Sequence, residues 1–298
     1  MAGRQPRRTR IGDAVVVLGV AGGLALVGVS GCGRSGAATG GGGGGTTAGE
    51  VAAVVREAAD ALVDAGSSKT RTSMEMATGG TRVTIRGEGV YDYRKRIGRL
   101  KVLLPQDPSG APVSRPITEL LTPGALFMKN RGAGVPADKW VRVDTGTLPD
   151  GNLVTGGVTD PFTAAELLRG ARTATYVGRT EFAGVPVRHY RGTADLHEAA
   201  QAASEANRRT LGAAASGFAT PEVPFDVYLD DQGRIRKVRH RFSFVNEERS
   251  APVAVASTTL LHDFGAPVDV RLPKADDIYA GRIAKERAGG VGQSASRE

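Results

Sequence analysis

The chain has 298 residues and a formal net charge of +8, and 40% of its residues are hydrophobic though only 5% are aromatic. That length supports a sizeable core built from Val, Leu, Ala and Ile. The cations alternate with apolar residues and form no stripe beside stacking aromatics, which argues against nucleic-acid binding, and a single cysteine excludes a disulfide within the chain.

The amino-terminal segment carries the first signal. Arg4, Arg7, Arg8 and Arg10 form a basic start, and Ala14 to Gly31 runs without a charge. Basic region, apolar region and small residues follow in the order of a secretory signal. The junction Val29-Ser30-Gly31-Cys32 resembles the lipobox of bacterial lipoproteins. The resemblance implies diacylglycerol transfer to the Cys32 thiol, cleavage after Gly31, and a protein held by its acyl chains at the outer face of the cytoplasmic membrane. Removing residues 1–31, with four arginines and one aspartate, lowers the formal charge to +5. An uncleaved membrane helix is the competing reading. Eighteen uncharged residues reach the lower end of a span of about 17–25 residues, but Gly19, Gly22, Gly23 and Gly28 weaken such a helix.

Residues 33–49 are Gly-rich and read as a flexible tether, spanning roughly 23 Å on average. The folded part begins near Glu50. Val51, Val54, Val55, Ala58, Leu62 and Ala65 recur at helical spacing, and Gly66 ends the predicted helix. The period then becomes two. Thr81–Tyr93 and Arg96–Leu104 read as a hairpin of long strands, followed by short strands at Ala125–Lys129 and Lys139–Val143. Asp160-Pro161 opens a helix that Gly170 stops. Strands at Thr173–Phe182 and Val185–Gly192 are joined by Ala183-Gly184. Asp195 to Glu198 resembles a capping box opening a helix to about Leu211. The last third alternates again through Val223–Leu229, a turn at Asp230–Gly233, Val238–Phe244 and Val253–Leu261.

No βαβ rhythm is present, so a parallel nucleotide-binding sheet is excluded. The predicted class is α+β: one large antiparallel sheet that curls around a few helices. The expected division is a signal segment at 1–31, acylated cysteine and tether at 32–49, a folded domain at 50–280 and a disordered tail at 281–298. Period-two alternation sends Val83, Ile85, Phe225, Val227, Leu229, Val238, Phe242 and Phe244 toward the helices, and Arg82, Arg86, Arg239 and Arg241 outward.

Catalytic patterns are missing from the sequence. His189, His197, His240 and His262 have no metal-ligand spacing. Asp226, Asp230 and Asp231 lack the calcium-loop pattern, and turn chemistry accounts for the last two. There is no GxSxG elbow. Glu247 and Glu248 are neighbours on a strand and point to opposite faces. No enzyme activity, cofactor or metal is expected. Trp140, the sole tryptophan, reads as core packing or as a pocket rim.

Three segments carry a wider resemblance. Lys139–Val143, Gly184–Leu196 and Phe225–Lys237 resemble, in this order, strand and hairpin segments of actinobacterial LolA-like lipoproteins, the LppX/LprAFG group. The resemblance spans about Glu50 to Tyr279. It implies a half-barrel of antiparallel strands wrapped around helices, with a hydrophobic cavity that carries acyl chains or glycolipids. The candidate lining is Phe127, Val141, Tyr176, Phe225, Val227, Val238 and Phe242. The expected function is a monomeric lipid-binding carrier or chaperone of the cell envelope, its partners being the membrane, through the Cys32 anchor, and a lipid or glycolipid ligand. The alternative is a structural or regulatory envelope lipoprotein on the same fold with a filled core.

Overall fold

The computed structural model describes residues 47–78, 81–104, 115–132, 134–156, 159–245 and 252–281. The lipobox with Cys32, most of the tether, the tail after Gly281 and the Phe244 side chain lie outside them.

The described chain opens with a capping box. Thr47 Oγ1 accepts from the Glu50 N–H, and the Glu50 carboxylate accepts from the Thr47 N–H at 2.7 Å. Two short helices follow, α1 (Ala48–Arg56) and α2 (Ala58–Ala65). The sequence pattern predicts one helix here. The chain breaks it at Glu57, and both pieces thereby bury an apolar stripe: Val51, Ala52 and Val55 on the first, Ala58, Ala59 and Leu62 on the second. Gly66, at φ 83°, turns the chain out of the helix.

Among the described residues, eleven strands form one open antiparallel sheet. In chain order they are β1 (Ser67–Thr78), β2 (Thr81–Asp92), β3 (Ile97–Leu103), β4 (Ile117–Thr122), β5 (Ala125–Lys129), β6 (Trp140–Asp144), β7 (Ala171–Phe182), β8 (Val185–Asp195), β9 (Glu222–Leu229), β10 (Ile235–Val245) and β11 (Pro252–His262). Their spatial order is β6-β5-β4-β3-β2-β1-β11-β10-β9-β8-β7. Two meanders thus meet at a single seam, where β1 pairs with β11 from Lys69 opposite His262 to Ala77 opposite Ala254. The α+β class and the curled antiparallel sheet agree with the sequence pattern.

Between β6 and β7 the chain crosses the concave face through α3 (Pro161–Leu167), whose residues are all buried. Asp160 caps it as the sequence indicates, accepting from the Phe162 and Thr163 N–H groups at 2.8 Å. The helix expected from Asp195 to Leu211 is again two, α4 (Leu196–Ala202) and α5 (Glu205–Gly217). Ser204 interrupts it because its backbone and hydroxyl bond to Glu166 of α3. The α1 helix packs on β7, α2 and α3 on β10, and α4 on β8.

Alternation governs the two faces. Ile85, Phe225, Val227, Leu229, Val238 and Phe242 are buried beneath the helices, with Val83 partly buried against them. Arg82, Arg86 and Arg241 are exposed and Arg239 is half-exposed. Two glycines permit the curl. A Cβ at Gly89 would lie 1.9 Å from the Arg99 carbonyl oxygen, and one at Gly192 equally close to that of Thr173.

Candidate ligand-binding face

Five of the seven predicted lining residues come together. Val141, Phe225, Val227, Val238 and Phe242 belong to one core cluster and are at most 3% exposed. The register places them across the concave face: Val227 lies opposite Val238 on one side and Tyr190 on the other, and His240 opposite Phe225. The other two do not join the group. Phe127 lies opposite Leu120 and Arg142 on the convex face, in a small separate cluster with Leu120 and Ala125. Tyr176 shares a face with Tyr190 but sits on the edge strand β7 and is 45% exposed, its ring 5.5 Å from that of Tyr190. Trp140 is also on the convex face. It packs half-buried under the carboxy-terminal segment, where the Tyr279 N–H donates to its carbonyl and Ile278 packs on the cluster; its place is neither the main core nor the rim of the concave face.

Among the described residues the concave side is closely packed. The helices pack directly on the sheet residues in the same continuous cluster. The cleft between sheet and helices beside Tyr91, Asn152 and Phe162 measures about 20 Å³. That is room for a water, far below the roughly 300–1,000 Å³ of a small-molecule pocket.

Polar groups cross this face, and the hydrophobic pattern gave no sign of them. Ser68, Thr70, Thr72, Ser257 and Thr259 are buried on the two seam strands. Some find partners: Ser68 Oγ and the Tyr93 hydroxyl are 2.7 Å apart, as are the Thr159 and Ser257 hydroxyls. Thr70 Oγ1, Thr72 Oγ1, both oxygens of Glu119 and His240 Nε2 are buried with no hydrogen-bond partner among the described residues. Burial pushes the Glu119 carboxyl up to about 8, with Arg131 opposing. Burial alone holds the His240 imidazole down at about 3, so it is neutral. Asp160 keeps a little surface, yet desolvation raises its carboxyl to about 6 against the bonds from its N-cap partners and from Tyr91. The only sequence sign for Glu119 is a charged residue inside the apolar run Ile117–Leu121.

On the convex face His189, Arg191 and Arg241 converge on Asp226. His189 Nε2 is 2.9 Å from its carboxylate, as is Arg191 Nε, and Arg241 donates at 2.8 Å. Desolvation raises the Asp226 pKa, but the bonds from Arg191, His189 and Arg241 outweigh it and hold the group at about 2. The imidazole also stacks on Tyr228, with centroids 4.2 Å apart. These contacts account for the residues as a structural knot. Asp230 caps its own turn by accepting from the Gln232 and Arg234 N–H groups, as the turn reading expects. Among the described residues no group of three His, Cys, Asp or Glu side chains is placed to hold a metal. No helix among them is long and apolar enough to cross a membrane.

No protein-family model and no curated protein matches the chain. Among solved structures it is similar to the Mycobacterium tuberculosis lipoprotein LppX, with a TM-score of 0.44 and 10% identity over 76% of this chain and 100% of that one. It is also similar to LprF from Mycobacterium bovis, with a TM-score of 0.38 and 14% identity over 77% and 99% of the two chains. A LolA superfamily protein from Nitrosomonas europaea gives a TM-score of 0.32 and 10% identity over 72% and 94%.

Proposed function

We propose that this protein is a lipid-anchored protein of the cell envelope that binds a lipid or glycolipid on the concave face of its sheet, as a carrier or chaperone. The lipobox-like Cys32 supplies the anchor and the outer face of the cytoplasmic membrane is its place. The observation that carries the ligand reading is the set of polar atoms on Thr70, Thr72, Glu119 and His240 that are buried on the concave face without a partner among the described residues. A core that serves packing alone is destabilised by them, since a buried polar group without a partner costs about 1–3 kcal/mol. An amphiphile brings methylenes for the apolar surface, each gaining about 0.8 kcal/mol, and polar groups for these atoms. The described arrangement is closed, so binding requires the helices to lift from the sheet.

One observation favours a second reading, a structural or regulatory envelope protein on the same fold: among the described residues the concave side is already closely packed, leaving a cleft of about 20 Å³. Detergent-free native mass spectrometry together with titration of a fluorescent fatty acid separates the two. Co-purified lipid or saturable uptake supports the carrier. A clean apo mass without saturable uptake overturns it. The anchor has its own test. Cys32→Ser is expected to abolish labelling by palmitate, and equal labelling of wild type and variant would refute acylation at that residue.

A further inference from the structure

The convex face divides into two electrostatic halves. On β8 to β10 the outward arginines are matched: Arg191 and Arg241 bond to Asp226, and Arg239 lies 3.4 Å from Glu75, while Lys237 sits over the rings of Tyr228 and Phe182. On β1 to β3 most are not. Arg71, Arg82, Arg86, Arg99 and Lys101 are exposed, and among the described residues none has an ion-pair or hydrogen-bond partner. The register explains their proximity. Arg71 lies opposite Glu88, Glu88 opposite Lys101, and Val90 between Lys69 and Arg99. Together these six residues make up half of the lining of an open groove of about 730 Å³. Glu88 is its one carboxylate, and Lys69 is engaged with Asp263 at 2.8 Å. Three guanidinium or ammonium groups therefore face the groove unpaired.

At the end of β3, next to this groove, Leu103 is 46% exposed and Leu104 40%. Leu103 lies opposite Arg86 on the outer face. Unpaired cations beside an exposed leucine match one surface by chemistry, the interface of an anionic bilayer: phosphate groups for the cations and the acyl boundary for the leucine.

We propose that the outer face of β1 to β3 is a membrane-docking surface that takes anionic phospholipid headgroups in the Arg71/Arg99/Lys101 groove and inserts Leu103 at the interface. This rests on the reading of Cys32 as the anchor only for its biological setting: a tethered protein meets the bilayer at high effective concentration, so weak docking suffices. Docking lays the convex face on the lipid and leaves the helix-covered side toward the aqueous space.

The test places a tryptophan at Leu103→Trp in the full chain and reads its quenching by lipids with brominated acyl chains, with the parent chain and its Trp140 as background. The expected result is quenching in phosphatidylglycerol vesicles, little in phosphatidylcholine vesicles, and loss in high salt. Replacing Arg71, Arg99 and Lys101 by Gln in the same background should weaken docking by about a hundredfold. Lack of quenching in phosphatidylglycerol, or equal quenching in the two lipids, overturns the proposal. So does docking that the three substitutions leave unchanged. Displacement by millimolar inorganic phosphate with Leu103→Trp remaining in water would assign the groove to a soluble anion and also overturn it. Intact mass reports acylation of Cys32 independently. If the mass shows none, vesicles added to the same protein still decide the docking question by flotation.

Discussion

Glu166 on α3 holds Ser204 at the start of α5: its carboxylate accepts from the Ser204 N–H at 2.9 Å and from the Ser204 hydroxyl at 2.8 Å. Asn207 Nδ2 donates to the same group at 2.7 Å. The carboxylate is buried, and the guanidinium of Arg169, 3.6 Å away, balances it. This knot fastens two of the helices that cover the concave face. Glu166→Ala is expected to cost about 2–4 kcal/mol, since several charge-assisted bonds are lost at once. Urea denaturation gives the total. Hydrogen exchange should show the 204–217 segment opening first, and unchanged protection there would contradict the fastening role.

Glu119 makes stability depend on pH with a defined sign. Its carboxyl is raised from 4.5 to about 8 in the fold. Between those values the folded chain keeps a proton that the unfolded chain releases, so stability falls as pH rises, by about 1.4 kcal/mol per unit. His240 works in the opposite direction. Lowered from 6.5 to about 3, it makes stability fall as pH drops below 6.5. Asp160, raised from 3.8 to about 6, slopes like Glu119 below pH 6. From pH 6.5 to 8 only Glu119 of these three contributes a slope. Glu119→Gln should flatten the decline in that window. Parallel profiles for wild type and variant would rule out burial of this carboxyl.

Val227 is fully buried between Val238 and Tyr190. In a filled interior Val227→Trp overpacks the face and should lower stability by about 1–3 kcal/mol or more. Tyr176→Ala removes a ring that is 45% exposed and should cost far less. A Val227→Trp protein as stable as wild type would mean that the face accommodates an indole, and hence that it opens.

Gly89→Ala is expected to disrupt the β2–β3 pairing, because the added methyl would collide with the Arg99 carbonyl oxygen. Hydrogen exchange at β3 should accelerate while β7 and β8, at the far edge, stay protected. Uniform destabilisation would show that the curl is not stored locally at this glycine.

The strands that alternate hydrophobic with polar residues were legible with small errors at their ends. Two strands were not. β1 turns Ser68, Thr70 and Thr72 inward, so it offers no apolar period to read, and β4 carries Glu119 at a buried position. Both helix breaks escaped as well. Glu57 and Ser204 fit a helix locally, and only packing against the sheet and the bond to Glu166 decide otherwise. For the candidate face, Phe127 and Tyr176 were misplaced for different reasons. Phe127 lies in the run Ala125–Met128, buried on both faces, where alternation cannot tell inside from outside. Tyr176 has the right face but lies on the edge strand β7 at a position that stays 45% exposed.

The single seam between β1 and β11 has a kinetic consequence. Each meander, β1 to β6 and β7 to β11, pairs strands that are near in sequence and can form early, whereas the seam joins residues nearly two hundred positions apart. Closing it should be the slow step, because distant pairing bears the loop-closure entropy of the whole intervening chain. Until then both half-sheets carry a bare edge of matching register. The first meander of one chain can then zip onto the second meander of another, giving an exchanged dimer with native pairing throughout. Crowding of such chains while they fold favours that exchange, which ties the assembly state to the rate of synthesis and not only to the sequence.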